Sequence, residues 1–223
     1  MALSVQKFNP ELEALMRTKW GARQIYSSYS DVESFFNAWA FGPDQDVPSS
    51  KDHDTDVQGT YLGPDRIARL VLPRLEPKTK IIDICCGTGL SGQPFIERGH
   101  SVTGFDLSSR MLEKAKARGY QETCTGNLLT DDLPWKEEFR ALISVGALGE
   151  WIPAEDVLNK LFPLVSPQNA IVGITSEVEH TNIHLIRKIF KEHGFQIVTS
   201  ELGPGLRNPK YPTENYYYIL AER

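Results

Sequence analysis

The residues best suited to chemistry are the run Asp83-Ile84-Cys85-Cys86-Gly87-Thr88-Gly89-Leu90-Ser91-Gly92. Gly87, Gly89 and Gly92 fit the G-x-G-x-x-G spacing, with an apolar run before them and a helical segment after. Residues without Cβ let a backbone turn tightly and approach a ligand at the carboxyl end of a strand. The acid in front of the glycines bears on which nucleotide is held. A pyrophosphate is anionic and wants helix N–H groups with no carboxylate beside it. The amino-acid end of S-adenosylmethionine carries an ammonium, which needs an acceptor such as Asp83. The plainer reading is that Asp83 bonds backbone N–H groups of the turn; both can hold at once.

The elements that must position this turn follow from apolar periodicity. From about residue 79 onward, short apolar runs alternate with helical segments, the pattern of a mostly parallel sheet covered by helices. Strands are expected at 80–85, 101–106, 120–124, 140–145, 170–175, 195–200 and 216–221. A helix follows the glycine turn to about Arg98, a second is capped by Ser108 or Ser109, and others lie beyond Pro153 and over 181–193. Gly99, Gly119 and Gly194 stop three of them. The last two strands have no helix between them, which predicts an antiparallel ending. The fold expected is α/β: a Rossmann-like seven-stranded, mostly parallel sheet with an antiparallel last strand and an N-terminal helical lid.

The first part of the chain differs. Asn9-Pro10 can open a helix bearing Leu12, Leu15, Met16 and Trp20, and Asp31 can cap a second with Phe35, Phe36 and Trp39. Residues 42–59 are polar and rich in Asp, the composition of a connection. We divide the chain into an appendage, residues 1–57, and a nucleotide-binding domain, residues 58–223. Tyr26, Tyr29, Phe35, Phe36, Trp39 and Tyr61 are candidates for a lid, although aromatic stripes often serve only packing.

Composition narrows the partners. The chain of 223 residues has a formal charge of −5 and 40% hydrophobic residues, ordinary globular usage. No run of Lys or Arg makes the footprint of a nucleic-acid binder, so no nucleic-acid partner is expected. No stretch approaches the roughly 20 apolar residues of a membrane span. Three cysteines, no secretory pattern and no His/Cys pair at ligand spacing point to a cytoplasmic protein without a catalytic metal. The oligomeric state is left open.

Asp83 to Gly89 resembles motif I of the class I S-adenosylmethionine-dependent methyltransferases, in the form Asp-x-x-Cys-Gly-Thr-Gly. Cys85 stands at the first glycine of the commoner form, a departure its side chain tolerates if φ stays negative there. Asp106-Leu107-Ser108-Ser109-Arg110-Met111-Leu112 is similar to the second motif, Asp-x-Ser-x-x-Met-Leu. Gly126-Asn127-Leu128 with Leu133-Pro134-Trp135 looks like Gly-Asp-Ala followed by Leu-Pro-Phe, with Asn127 in place of the acid. Val145-Gly146-Ala147-Leu148 matches the motif at the edge of the active site, while Pro167-Gln168-Asn169 departs from the family's Pro-Gly-Gly turn. The likeness covers roughly residues 60–223. With the Phe35 to Asp46 stretch it is most similar to the Williams–Beuren-region methyltransferase-like proteins.

The resemblance implies a methyl transfer from S-adenosylmethionine to a small-molecule acceptor. It implies cofactor contacts at Asp83, Cys85, Gly87, Asp106, Leu107, Met111, Asn127, Leu128 and Val145, with Asp106 on the ribose hydroxyls and Leu107 and Met111 against adenine. Trp39 and Trp151 are candidate walls of the substrate pocket, and Glu150 and His184, with His180, are candidate bases. Two rivals remain. A nicotinamide-dependent reductase is disfavoured by the acid before the glycines and by the lack of a Tyr-x-x-x-Lys pair. The other is a methyltransferase-fold protein that binds the cofactor without transferring methyl, serving as a cyclase or binding module, since fold does not fix function.

Overall fold

A computed structural model describes residues 32–41, 61–149, 152–205 and 215–223. Seven strands form one sheet in the order β3-β2-β1-β4-β5-β7-β6. They are β1 (Lys80–Ile84), β2 (Ser101–Asp106), β3 (Glu122–Thr125), β4 (Ala141–Leu148), β5 (Ile171–Glu177), β6 (Gln196–Pro204) and β7 (Asn215–Glu222). Only β7 runs against its neighbours, pairing antiparallel with both β5 and β6. The antiparallel ending expected from two consecutive strands is therefore present.

The central strands read as unbroken apolar runs because helices cover both of their faces. Successive residues alternate between two cores. Ile82, Ile84, Leu142 and Ile174 join Leu158, Leu161, Phe162 and Phe190 from α5 (Ala154–Leu161), the turn after it and α6 (Ile183–Glu192). Ile81, Val102, Ala141 and Ile143 face the other way, against Ile67, Val71, Phe95, Leu112 and Ala115. These come from α2 (Gly63–Val71), α3 (Gln93–Ile96) and α4 (Ser109–Ala117). Helix α2, with Pro64 in its first turn and Ile67, Ala68 and Val71 buried, was not among the elements expected from sequence. Its apolar face was legible at helical spacing, but the polar stretch before it hides its start.

Helix α3 is a single turn, shorter than expected, with Gly99 at φ 81 after it. Ser108 caps α4 by accepting the N–H of Met111 at 3.0 Å, and Asn182 caps α6 by accepting the N–H of Leu185 at 3.1 Å. Of the appendage, the described part is α1 (Val32–Phe41); the expected helix around Leu12 to Trp20 and the connection 42–59 lie outside the described residues. No described helix is long and apolar enough to cross a membrane.

The chain runs outward from β1 to β2 and β3, then returns to place β4 on the other side of β1. That reversal opens a crevice at the carboxyl ends of β1 and β4, the usual ligand position of such sheets. Asp83 lies in β1 one residue from its end, and Asp106 ends β2.

Candidate active site

The turn after β1 is fastened to β2 at two points. The N–H of Cys86 donates to the carbonyl of Phe105 at 3.1 Å, and the N–H of Gly87 donates to Asp106 Oδ2 at 2.8 Å. Asp106 Oδ1 accepts the N–H of Ser108 at 2.9 Å. Each carboxylate oxygen has capacity beyond one bond, and Asp106 retains 8% exposure at the mouth of the crevice. An acid so placed is oriented by backbone N–H groups at the edge of the crevice.

Cys85 corrects the expectation of a negative φ: it sits at φ 56, in the left-handed region. The turn requires that geometry and only glycine adopts it without cost, so this cysteine carries on the order of 1–2 kcal/mol of backbone strain. Its half-buried side chain packs against the core cluster around Ile84 and Phe105, which offsets part of it. Burial also pushes the thiols of Cys85 and Cys86 well above their ordinary values, so neither is a thiolate nucleophile.

The glycines divide by role. A Cβ on Gly87 (φ 52) would meet nothing within 4 Å among the described residues, so there this residue borders open space. A Cβ on Gly89 would lie 2.7 Å from the Tyr120 ring, on Gly104 2.8 Å from it, and on Gly92 2.5 Å from Tyr120 Cζ. Of these four, Gly87 alone leaves room beside the turn; the others give way to an aromatic ring of the protein itself.

Asp83 is fully buried. Its Oδ2 accepts from the hydroxyls of Ser91 and Tyr120, each at 2.5 Å, and its Oδ1 has no hydrogen-bond partner among the described residues. The expected alternative, loop N–H groups on this carboxylate, is replaced by two side-chain hydroxyls. Burial raises its pKa from 3.8 to about 7, against the pull of the two hydroxyls and with the Asp106 charge adding to the rise. A buried acceptor without a partner costs free energy unless a ligand or water meets it. This orphaned atom, the open side of Gly87 and the oriented Asp106 together fit a ligand with an amino group at one end and a cis-diol further on.

The flanks are formed by five segments. Leu107 is half-buried while Met111 keeps only 1% exposure. Asn37 of α1 reaches this corner: its Oδ1 accepts the Ser108 hydroxyl at 2.7 Å and the N–H of Arg110 at 3.4 Å. Asn127 spends its side-chain oxygen on the N–H of Leu129 at 2.9 Å and gives its own N–H to Asp131 at 2.8 Å. Leu128 is packed in the core and 3% exposed. On the β4 side, the Tyr61 hydroxyl donates to the carbonyl of Val145 at 3.0 Å, and Gly146 turns beneath it at φ 80. Burial, then the Asp83 charge, keeps the Tyr61 phenol neutral.

Beyond β5, His180 Nε2 stands 3.8 Å from Glu177 Oε2, and Glu177 is buried against Gly149. The candidate ligand atoms of Glu177, Glu179 and His180 lie within 4.8 Å of one another. His184 is exposed on the first turn of α6. Glu150 and Trp151 lie outside the described residues, as does the side chain of Trp39, whose backbone belongs to α1. Sequence reading missed Ser91, Tyr120, Asn37 and Glu177. For Tyr120 and Asn37, 37 and 71 residues from what they touch, no local signal marks the role.

Residues 81–168 match the family described as methyltransferase domain. The chain is 35% identical over 96 residues to an uncharacterized methyltransferase of Synechocystis sp., covering 42% of this chain and 45% of that protein. It is 36% identical over 102 residues to the mouse 18S rRNA (guanine-N(7))-methyltransferase, covering 44% of this chain and 34% of that protein. The chain thus matches less than half the length of these curated relatives. Among solved structures, magnesium protoporphyrin IX methyltransferase from Synechocystis PCC 6803 with bound SAM superposes with a TM-score of 0.60 at 18% identity, over the whole of both chains. A TehB-like SAM-dependent methyltransferase from Corynebacterium glutamicum gives 0.54 at 17% identity, covering 96% and 100%.

Proposed function

Since the chain belongs to the class I S-adenosylmethionine-dependent methyltransferases, we propose that it holds this cofactor over the carboxyl ends of β1, β2 and β4 and transfers the methyl group to a small molecule. The observation that carries the reading is the buried Asp83 Oδ1 without a partner, beside a turn whose other flank is Asp106. Two carboxylates at one turn repel a pyrophosphate and suit an amino-acid nucleoside.

The bound cofactor supplies an electrophilic methyl carbon on a sulfonium. The protein's part is to hold, align and keep out water; orientation alone is worth about 7–11 kcal/mol of barrier. Asp106 would accept from the ribose hydroxyls, and the open face of Gly87 would border the chain next to them. Leu107 and Met111 would hold adenine. Asn127 and Leu128 bound the adenine edge, Cys85 shapes the turn, and Val145 closes the β4 side. Trp39 and Trp151 wall the acceptor, with residues 1–57 as a lid on the domain 58–223. Asn37, already bonded to Ser108, supports that division.

Where the acceptor must lose a proton, Glu150, His184 and His180 are the candidate bases. The carboxylate of Glu177 behind His180 favours His180. No metal is required by this scheme. A second reading, an RNA base as acceptor, is favoured by the names of the rRNA-methylating relatives. The charge of −5 and the lack of a basic run weigh against it.

The test is titration calorimetry with S-adenosylhomocysteine and with NAD, followed by incubation of the protein with S-adenosylmethionine and either a metabolite extract or ribosomal RNA. Gain of one methyl on a small molecule is the expected result by mass spectrometry. Binding of NAD alone overturns the reading. Methylation of the RNA transfers it to the second acceptor, and binding without turnover to a non-transferring binder.

A further inference from the structure

Tyr120 lies between α4 and β3, 37 residues from Asp83, yet its hydroxyl reaches Asp83 Oδ2 at 2.5 Å. The same oxygen atom of Tyr120 accepts the N–H of Gly92 at 2.9 Å. An amide N–H can only donate, so the phenol spends an acceptor site on Gly92 and its single proton goes to Asp83. Ser91, next to Gly92, gives a second O–H to that same Oδ2. Asp83, Ser91 and Tyr120 are all at least nineteen-twentieths buried. The ring of Tyr120 fills the space under the turn, as the close approaches at Gly89, Gly92 and Gly104 record.

With Oδ2 committed to two donors, the remaining acceptor of the carboxylate is Oδ1, the atom without a partner. We propose that Tyr120, with Ser91, is a positioning residue of this site: the two hydroxyls clasp Asp83 by one oxygen and so present the other to the ammonium end of the cofactor. Tyr120 does not touch the ligand. It links the turn, through Gly92, and the acid, through Oδ2, so that both keep one geometry. The proposal rests on the cofactor reading above.

The test separates the amino-acid end of the ligand from its nucleoside end. S-adenosylhomocysteine and adenosine are titrated calorimetrically into the protein and into Tyr120→Phe, which keeps the ring. The expected result is a loss of about tenfold in affinity for S-adenosylhomocysteine, the worth of one charged hydrogen bond, with adenosine binding unchanged. In an Asp83→Asn background the same substitution should add less than about twofold, because the two act as one unit. Ser91→Ala, which removes the other hydroxyl with little change of volume, should reproduce the ligand selectivity even if Tyr120→Phe does not fold. Equal losses for both ligands, or full additivity with Asp83→Asn, overturns the proposal and leaves Tyr120 a packing residue. Failure of the unaltered protein to bind S-adenosylhomocysteine overturns the cofactor reading itself, and the proposal with it.

Discussion

Asp106 Oδ2 accepts the N–H of Gly87 at 2.8 Å, so the acid that ends one strand holds the turn that follows its neighbour. The bond orients the carboxylate before any ligand arrives, which lowers the ordering cost of binding. Asp106→Ala should therefore lose at least about 100-fold in affinity for S-adenosylhomocysteine. It should also lose stability, since the N–H groups of Gly87 and Ser108 each give up a partner worth about 1–3 kcal/mol if buried. Asp106→Asn keeps one acceptor oxygen and should fall between. Calorimetry and thermal melting check both; unaltered affinity in the alanine variant refutes the assignment.

The glycines of the turn should respond differently to alanine. Gly87→Ala meets open space and carries only the strain of its positive φ, about 1–2 kcal/mol. Gly92→Ala drives a methyl into the Tyr120 hydroxyl and should cost more, with part of the loss recovered by adding Tyr120→Phe. Chemical denaturation of the two single variants and the double variant measures this. Equal costs at 87 and 92 would contradict it.

Asp83 makes stability depend on pH. Its folded value, about 7, lies above the ordinary 3.8, so the folded protein holds the proton more tightly than the unfolded chain. The contribution is fully present below about pH 4 and is lost as pH rises through about 7, a swing on the order of a few kcal/mol. The stability advantage of the native protein over Asp83→Asn should shrink across that window. A cation at Oδ1 favours the ionised acid, so binding of S-adenosylhomocysteine at pH 6 should release a proton that Asp83→Asn does not. Calorimetry in two buffers of different ionisation enthalpy reads that proton; identical proton counts would sink the prediction.

The base can be located by replacing the candidates one at a time. His180→Gln should lower kcat by about 100-fold or more, the usual yield of general base catalysis, with S-adenosylhomocysteine affinity retained. His184→Gln, at an exposed helical position, should stay within about twofold. A kcat that falls with Glu150→Gln and not with His180→Gln moves the role to Glu150.

Asn37 tests the appendage. Its Oδ1 is an acceptor for the Ser108 hydroxyl, which itself caps α4. Asn37→Ala should weaken cofactor binding severalfold while melting changes by no more than about 1 kcal/mol in stability. No change in affinity would confine α1 to packing.

The amino-acid sequence by itself determined the sheet and the place of its site, because both are written in local pattern. Apolar runs around 80–84, 101–106, 141–148 and 171–177 mark strands buried on both faces, and Asp83, Gly87 and Asp106 fall at strand ends by counting along the chain. What tertiary structure alone decided is which side chains meet across the fold. Tyr120 reaches Asp83 from 37 residues away and Asn37 reaches Ser108 from 71, and no periodicity encodes either. It also decided why the glycines are glycines. Gly89, Gly92 and Gly104 yield to the Tyr120 ring and Gly87 to open space, a distinction that depends on what stands opposite each backbone atom. The positive φ of Cys85 belongs to the same class, since a turn's geometry is set by the strands it joins as well as by its own residues.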